Sequence, residues 1–292
     1  MLDHRSGRPD AISRIADRAP TREPTTDGNP TVTTDLVRYG VDGRGVATVT
    51  LDDPATRNAL GDDLLDQLIG HLQSARDDEA VRVVVLAASG DRVFSSGGNL
   101  KAFADDRPVI EKYAGLDRFP RLFRLIGDLG KPTICAAGGD VLAGAFGLAL
   151  ACDLVIARSG VRFGCPEINV GVFPFMISAL IYRSVPRAKA NELMMLGDLI
   201  DADQALALHI VNAVVPAPEF AATVDAWAGR IAAKSPLLMR LGKQALAVTR
   251  DLALGEALSH LQAQLALALT TSDVGEGVAA FREKRDPEWR MR

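Results

Sequence analysis

Residues 133–157, TICAAGGDVLAGAFGLALACDLVIA, decide the fold. Thr133–Ala137 is a short apolar run, the pattern of a strand buried on both faces. Gly138 and Gly139 end it. Small residues from Gly144 to Ala151 read as a helix that packs closely against its neighbours, and Leu154–Ala157 reads as another buried strand. Strand, glycine turn, helix and strand in this order predict a βαβ unit. In such a unit function is expected in the turns at strand C-termini.

The pattern extends in both directions. Upstream, Val81–Ala87 is nearly all apolar and predicts a second parallel strand. Leu36–Tyr39 and Val46–Leu51 alternate, with Gly43-Arg44-Gly45 between them as a hairpin turn. Apolar residues at 64, 65, 68, 69 and 72 predict a helix over Asp62–Arg76, and helical segments follow to Leu129. Downstream of Pro186 helices are expected at Pro186–Leu196, Ala202–Leu208, Pro218–Ala233, Pro236–Val248, Leu254–Thr271 and Val274–Lys284, with a strand at Val211–Val215. Residues 1–34 are polar and Pro-rich. They predict a flexible leader with one or two helical turns at Ala11–Arg18. Asp3, Asp10 and Asp17, and the lack of an apolar core in this segment, fit neither a secretory signal nor a transit peptide.

Bulk properties exclude several function classes. The chain has 292 residues, 48% hydrophobic and 24% charged, with a net charge of −4. This is the composition of a globular protein, without the basic face that a nucleic-acid partner needs. No apolar run approaches the ~20 residues of a membrane span. Cys135, Cys152 and Cys165 have no zinc spacing, and their odd count argues against a disulfide framework, so a cytoplasmic setting is expected. His4, His71, His209 and His260 are scattered, and neither a metal site nor a histidine triad is expected.

Three stretches carry chemistry. Ser95-Ser96-Gly97-Gly98 is a turn whose paired glycines let backbone approach a ligand; it is also what any tight turn looks like, and it lacks a phosphate-binding fingerprint. Gly138–Gly144 leads into a helix whose first N–H groups are unpaired and carry the positive end of the helix dipole, which suits an oxyanion. Gly144 and Gly147 serve close helix packing equally well. Phe163-Gly164-Cys165-Pro166-Glu167 places a carboxylate among apolar residues (Ile168, Val170, Val172, Phe173, Pro174, Phe175, Met176), where burial should raise its pKa. A glutamate so tuned can both take and return a proton near neutral pH. A bare helix start with Pro at its first position reads the same.

Together these pieces resemble the crotonase family, the enoyl-CoA hydratase/isomerase superfamily. The markers run in family order from about Leu36 to the end: Asp53-Pro54 with Asn58-Ala59-Leu60; Phe94-Ser95-Ser96-Gly97-Gly98-Asn99-Leu100-Lys101; Lys131-Pro132; Gly144 with Cys152-Asp153; Phe163–Glu167 with Gly171; Leu196-Gly197-Asp198; and Ala280–Arg285. The resemblance implies an α/β fold, a spiral of ββα units over 35–195, and a C-terminal helical region over 196–292 that packs trimers or dimers of trimers. It implies an acyl-CoA substrate, with coenzyme A as part of the substrate and no separate cofactor. It places oxyanion donors on Gly98 and Gly144 and a catalytic acid on Glu167. Arg57, Ala59, Ser96, Asn99, Leu100 and Lys101 match the region that holds coenzyme A, although an aspartate is usual at Asn99. Phe103, Tyr113, Phe119, Phe173, Phe175 and Met176 are candidates for the acyl pocket.

The family's other catalytic glutamate falls on Gly147, which has no side chain. Hydration asks for a group that activates water and a group that protonates carbon. A double-bond shift needs one proton shuttle. The sequence therefore leans toward isomerisation or other single-base enolate chemistry, although one glutamate can also add water slowly. The alternatives are a catalytically weak acyl-CoA binder, or thioester hydrolysis or decarboxylation in the same pocket.

Overall fold

In the computed structural model the described residues are 35–99, 106 and 108–292; the expectations at residues 1–34, Leu100, Lys101 and Phe103 lie outside them. The chain runs β1 (Val37–Val41), β2 (Val46–Leu51), α1 (Asp62–Asp77), β3 (Val83–Ala88), β4 (Val93–Ser95), α2 (Val109–Gly115), α3 (Arg118–Gly127), β5 (Thr133–Ala137), β6 (Asp140–Leu142), α4 (Gly144–Ala151), β7 (Leu154–Arg158) and β8 (Arg162–Gly164). A 3-10 turn at Pro166–Val170 leads on to α5 (Phe175–Ser184), α6 (Arg187–Leu196), β9 (Leu199–Asp201), α7 (Ala202–Ala207), β10 (Ala213–Val215), α8 (Ala217–Ala232), α9 (Pro236–Thr249), α10 (Leu254–Ala268) and α11 (Ser272–Glu283).

Two sheets organise these elements. The larger has the order β1-β2-β3-β5-β7-β10 and the smaller β4-β6-β8-β9. In each of the pairs β3–β4, β5–β6 and β7–β8 the first strand joins the large sheet and the second joins the small one. Repetition of this step with intervening helices is the spiral of ββα units. β1 and β2 form the expected antiparallel hairpin, and the other neighbours in the large sheet are parallel.

Burial on both faces explains the unbroken apolar strands. Val84 and Leu86 enter the main core with Leu64, Leu68 and Leu72 of α1 and with Phe94, Phe146 and Phe163. Val83 and Val85 point the other way, into a smaller core with Ala228 and Ala232 of α8. With both sides covered, no position alternates to polar.

The structure corrects the sequence reading in several places. A short strand, β4, stands between the Val81–Ala87 strand and the first glycine turn. The small sheet was not expected. Each of its strands has three residues, too few to display a period of two. α5 was likewise unread, since its apolar run begins inside the flank of Glu167. Asp35–Arg292 form one compact unit, and α6 runs across the 195/196 position.

One clamp fixes the far end of α4, the helix whose start faces the candidate site. Asp153 Oδ2 accepts hydrogen bonds from Thr133 N (2.7 Å), Thr133 Oγ1 (2.8 Å) and Lys243 Nζ (2.7 Å). It ties β5 and α9 to the α4–β7 junction. Asp153→Ala leaves three donors without this acceptor and should cost about 2 kcal/mol, or roughly 4–8 °C in Tm. Thermal unfolding of the purified variant checks this.

Candidate active site

The small sheet brings the three chemical stretches together. β4, β6 and β8 are neighbouring parallel strands, paired through Ser95–Val141 and Leu142–Gly164. The first glycine turn leaves the end of β4, Ala143-Gly144 leaves β6, and Cys165-Pro166-Glu167 leaves β8. Adjacent parallel strands end side by side, so the three exits converge.

The first two turns touch. Gly97 has φ +87°, and a Cβ there would lie 2.3 Å from Ala143 Cβ and 2.9 Å from Gly144 N. Only glycine permits this conformation and approach together. The turn is held from the β2–α1 loop. Asn58, buried and with φ 54°, donates from Nδ2 to Phe94 O at 2.9 Å and accepts at Oδ1 from Asp53 N at 2.7 Å. Ser95 Oγ donates to Asn58 O (2.6 Å) and accepts from Gly97 N (3.1 Å). Leu60 N donates to Gly97 O (2.7 Å), and Ser96 N donates to Arg57 O (3.0 Å).

Gly144 is the first residue of α4, so its N–H is one that the helix leaves unpaired. The preceding Ala143 has φ 55° and ψ −130°. This conformation is strained for a residue with a Cβ, and the Ala143 N to Gly164 O bond (2.9 Å) holds it. Gly98 N lies 3.5 Å from the point where a Gly144 Cβ would stand. Among the described residues neither the Gly98 nor the Gly144 N–H donates to a turn or loop acceptor.

These groups open on an apolar cavity of about 330 Å³. Its lining includes Ser96, Gly98, Gly144 and Glu167, and Leu116, Phe119, Val172, Phe173, Phe175, Met176 and Ile177 make much of the rest. Glu167 Oε2 is buried and finds no hydrogen-bond partner among the described residues. Burial pushes the carboxyl from its ordinary 4.5 up to about 7, and the residue's own backbone N–H opposes this to a smaller extent. Burial also raises the Cys165 thiol, so that group stays protonated and unreactive.

Ser96, Gly98, Gly144, Glu167, Phe119, Phe173, Phe175 and Met176 line one cavity. Tyr113 does not line it and is 75% exposed on α2. Arg57 lines a second, polar crevice of about 740 Å³ together with Arg92, Arg158 and Arg162. Ala59 is half-buried, and Asn99 packs against Gly61. Gly147 faces no empty space: its missing Cβ position lies 2.3 Å from Ile177 Cγ2 and 3.0 Å from Phe123 Cζ. The sequence carried no signal for Ile177 as a wall residue, and Asn58 and Ser95 stood among the family markers without any sign that they clamp each other.

Residues 42–292 match the family model described as enoyl-CoA hydratase/isomerase. The chain is 34% identical over 249 residues to 2,3-dehydroadipyl-CoA hydratase of Escherichia coli K12, covering 85% of this chain and 96% of the relative. It is 34% identical over 243 residues to crotonyl-CoA hydratase of Syntrophomonas wolfei, covering 82% and 92%. The crystal structure of an enoyl-CoA hydratase from Mycobacterium smegmatis superposes with a TM-score of 0.84 at 31% identity, covering 87% of this chain and 98% of that one.

Two stability measurements check this geometry. Gly97→Ala forces a side chain into Ala143 and should cost roughly 3 kcal/mol of stability, seen as a lowered denaturant midpoint. Glu167 has a folded pKa above its unfolded one, so stability from the neutral acid is complete below pH 4.5 and is lost as pH rises to about 7. After allowance for partial exposure, the ionised group costs about 2 kcal/mol. The stability of Glu167→Gln relative to wild type should therefore grow between pH 5 and pH 8, and parallel pH–Tm curves would refute the assignment.

Proposed function

This chain belongs to the enoyl-CoA hydratase/isomerase family, and from that premise we propose that it binds an acyl-CoA thioester with its carbonyl oxygen between the Gly98 and Gly144 N–H groups while Glu167 moves a proton on the acyl chain. The observation that carries this reading is Glu167 Oε2, buried and unpartnered in an apolar cavity that two unengaged backbone N–H groups also line.

The chemistry follows from these positions. Removing a proton next to a thioester puts negative charge on the carbonyl oxygen. Backbone donors already in place stabilise that charge without reorganising, and one such donor is typically worth ~3 kcal/mol in the transition state. A carboxyl with a pKa of about 7 is populated in both protonation states at neutral pH, so it serves as base and then as acid. In this reading the substrate brings coenzyme A itself. Its anionic portion runs past Ser96 toward the Arg57–Ala59 loop, with Asn99 nearby. The Ser96–Arg57 backbone bond and the guanidinium groups of the polar crevice support that path. For assembly, the homotrimer or dimer of trimers that the resemblance implies would need a covered surface, and apolar side chains left exposed on α9–α11, such as Leu246, Leu258, Leu265 and Phe281, support self-association.

Two measurements test the mechanism. Glu167→Gln should lower kcat/KM on enoyl-CoA thioesters by ~10³-fold or more while acyl-CoA affinity changes little, read by calorimetry. Near-native turnover would refute the mechanism, and tight binding by the wild type without turnover on short and long enoyl-CoAs would favour a binding protein. Because the base is the carboxylate, kcat/KM for abstraction of the proton should rise with pH and level off above about 7.

A further inference from the structure

We propose that the substrate carries a long, uncharged acyl chain whose far end leaves the cavity past Leu116 and lies along the Leu116–Tyr113–Val109 face of α2. This rests on the reading that an acyl-CoA thioester occupies the cavity.

Where the cavity meets solvent, its rim is apolar. Leu116, Val170, Phe175 and Met176 all line it, yet Val170 is 58% and Phe175 74% exposed. Phe175 is held in place: its ring packs on Phe173 with centroids 5.2 Å apart and planes tilted by 57°. Met176 beside it has an unbranched side chain that adapts to irregular apolar shapes. The rim is therefore a fixed hydrocarbon surface that faces water until something apolar covers it.

From Leu116 this surface continues onto α2. No residue of that helix is buried. Val109, Tyr113 and Leu116 follow at spacings of four and three, so they form one stripe. Leu116 caps the helix with helical backbone (φ −72°, ψ −11°), which keeps it in line with the other two. Val109 is 82% and Tyr113 75% exposed. Glu111 lies on the opposite face. At 1.5 Å per residue the stripe runs about 10 Å from Leu116 to Val109.

A lone exposed apolar side chain needs no explanation, but a contiguous set joined to an apolar cavity marks a binding surface. The join identifies the occupant. A ligand already seated in the cavity needs only more chain to reach the stripe, and a chain that ends inside the cavity leaves the stripe uncovered. A charged group along that chain finds no partner to replace water. Among the described lining residues Glu167 alone is charged, and Ser96 alone has a neutral polar side chain.

The test is a series of straight-chain 2-enoyl- and 3-enoyl-CoAs of four, eight, twelve and sixteen carbons, used below their micelle concentrations. Affinities of the matching saturated acyl-CoAs are measured by calorimetry. A fully sheltered methylene is worth ~4-fold, and one laid on an open stripe about half that free energy, ~2-fold. Both kcat/KM and affinity should therefore rise ~10-fold or more from eight to sixteen carbons. Val109→Ser with Tyr113→Ser should lower the sixteen-to-four-carbon ratio by ~10-fold, and Phe175→Ala should move it in the same direction. All three side chains are exposed, so these substitutions leave the core intact. Flat or falling values beyond eight carbons would overturn the proposal, as would a ratio that the variants leave unchanged. Weakened self-association of the double variant with no change in the ratio would make the stripe a subunit contact and overturn it equally. If Glu167→Gln keeps wild-type turnover at every length, the catalytic reading fails instead, and the affinity series still decides the stripe.

Discussion

Gly97 lies so near the Ala143–Gly144 peptide that a Cβ on it would stand 2.3 Å from Ala143 Cβ, and the arrangement of the other groups follows from this contact. Two turns can meet at that distance only if the strands carrying them are neighbours ending at the same level. β4 and β6 meet that condition because they pair in parallel in the small sheet. β8 adds the third exit, with Glu167, on the far side of β6. The clamp from Asn58 through Ser95 to Gly97 then ties the turn to the β2–α1 loop. Strain at Ala143 is held by a bond to Gly164, the last residue of β8. The donors are thus positioned by backbone that cannot shift without breaking the sheet, which is what preorganised stabilisation of an oxyanion requires.

Burial then sets the chemistry of the only carboxylate among the described lining residues. Glu167 sits where solvent is mostly excluded, so its pKa rises to about 7 through desolvation, and among the described residues no charged neighbour contributes to the shift. The buried glycine on α4 has the complementary effect. A deletion of a side chain usually leaves a void or admits water. At Gly147 no such void exists, because Ile177 of the neighbouring helix fills the space beside it.

Legibility varied with the length scale of the signal. Strands buried on both faces were readable as apolar runs, and α1 as a helical stripe, because their patterns span enough residues to show a period. β4, β6, β8 and β9 were invisible at three residues each. The glycine turns and the carboxylate in apolar company were visible as residues, and it was the family resemblance that assigned donors to Gly98 and Gly144 and the acid to Glu167. Tyr113 looked equally suitable for the pocket and is exposed instead, since aromatic character alone does not say which face of a short helix is covered. Arg57 was read with the coenzyme A region, and only the fold shows that it lines a polar crevice together with Arg92, Arg158 and Arg162.

By itself the sequence determined which chemical groups are available: two glycine turns able to offer N–H donors, one glutamate in apolar surroundings, and no side chain at position 147. These are properties of residue type and local spacing. The tertiary structure decided that the turns meet, that Glu167 is left without a partner, and that Ile177 and Phe123 occupy the position beside Gly147. Each of these depends on which distant segments lie against one another, and short-range pattern carries no record of that.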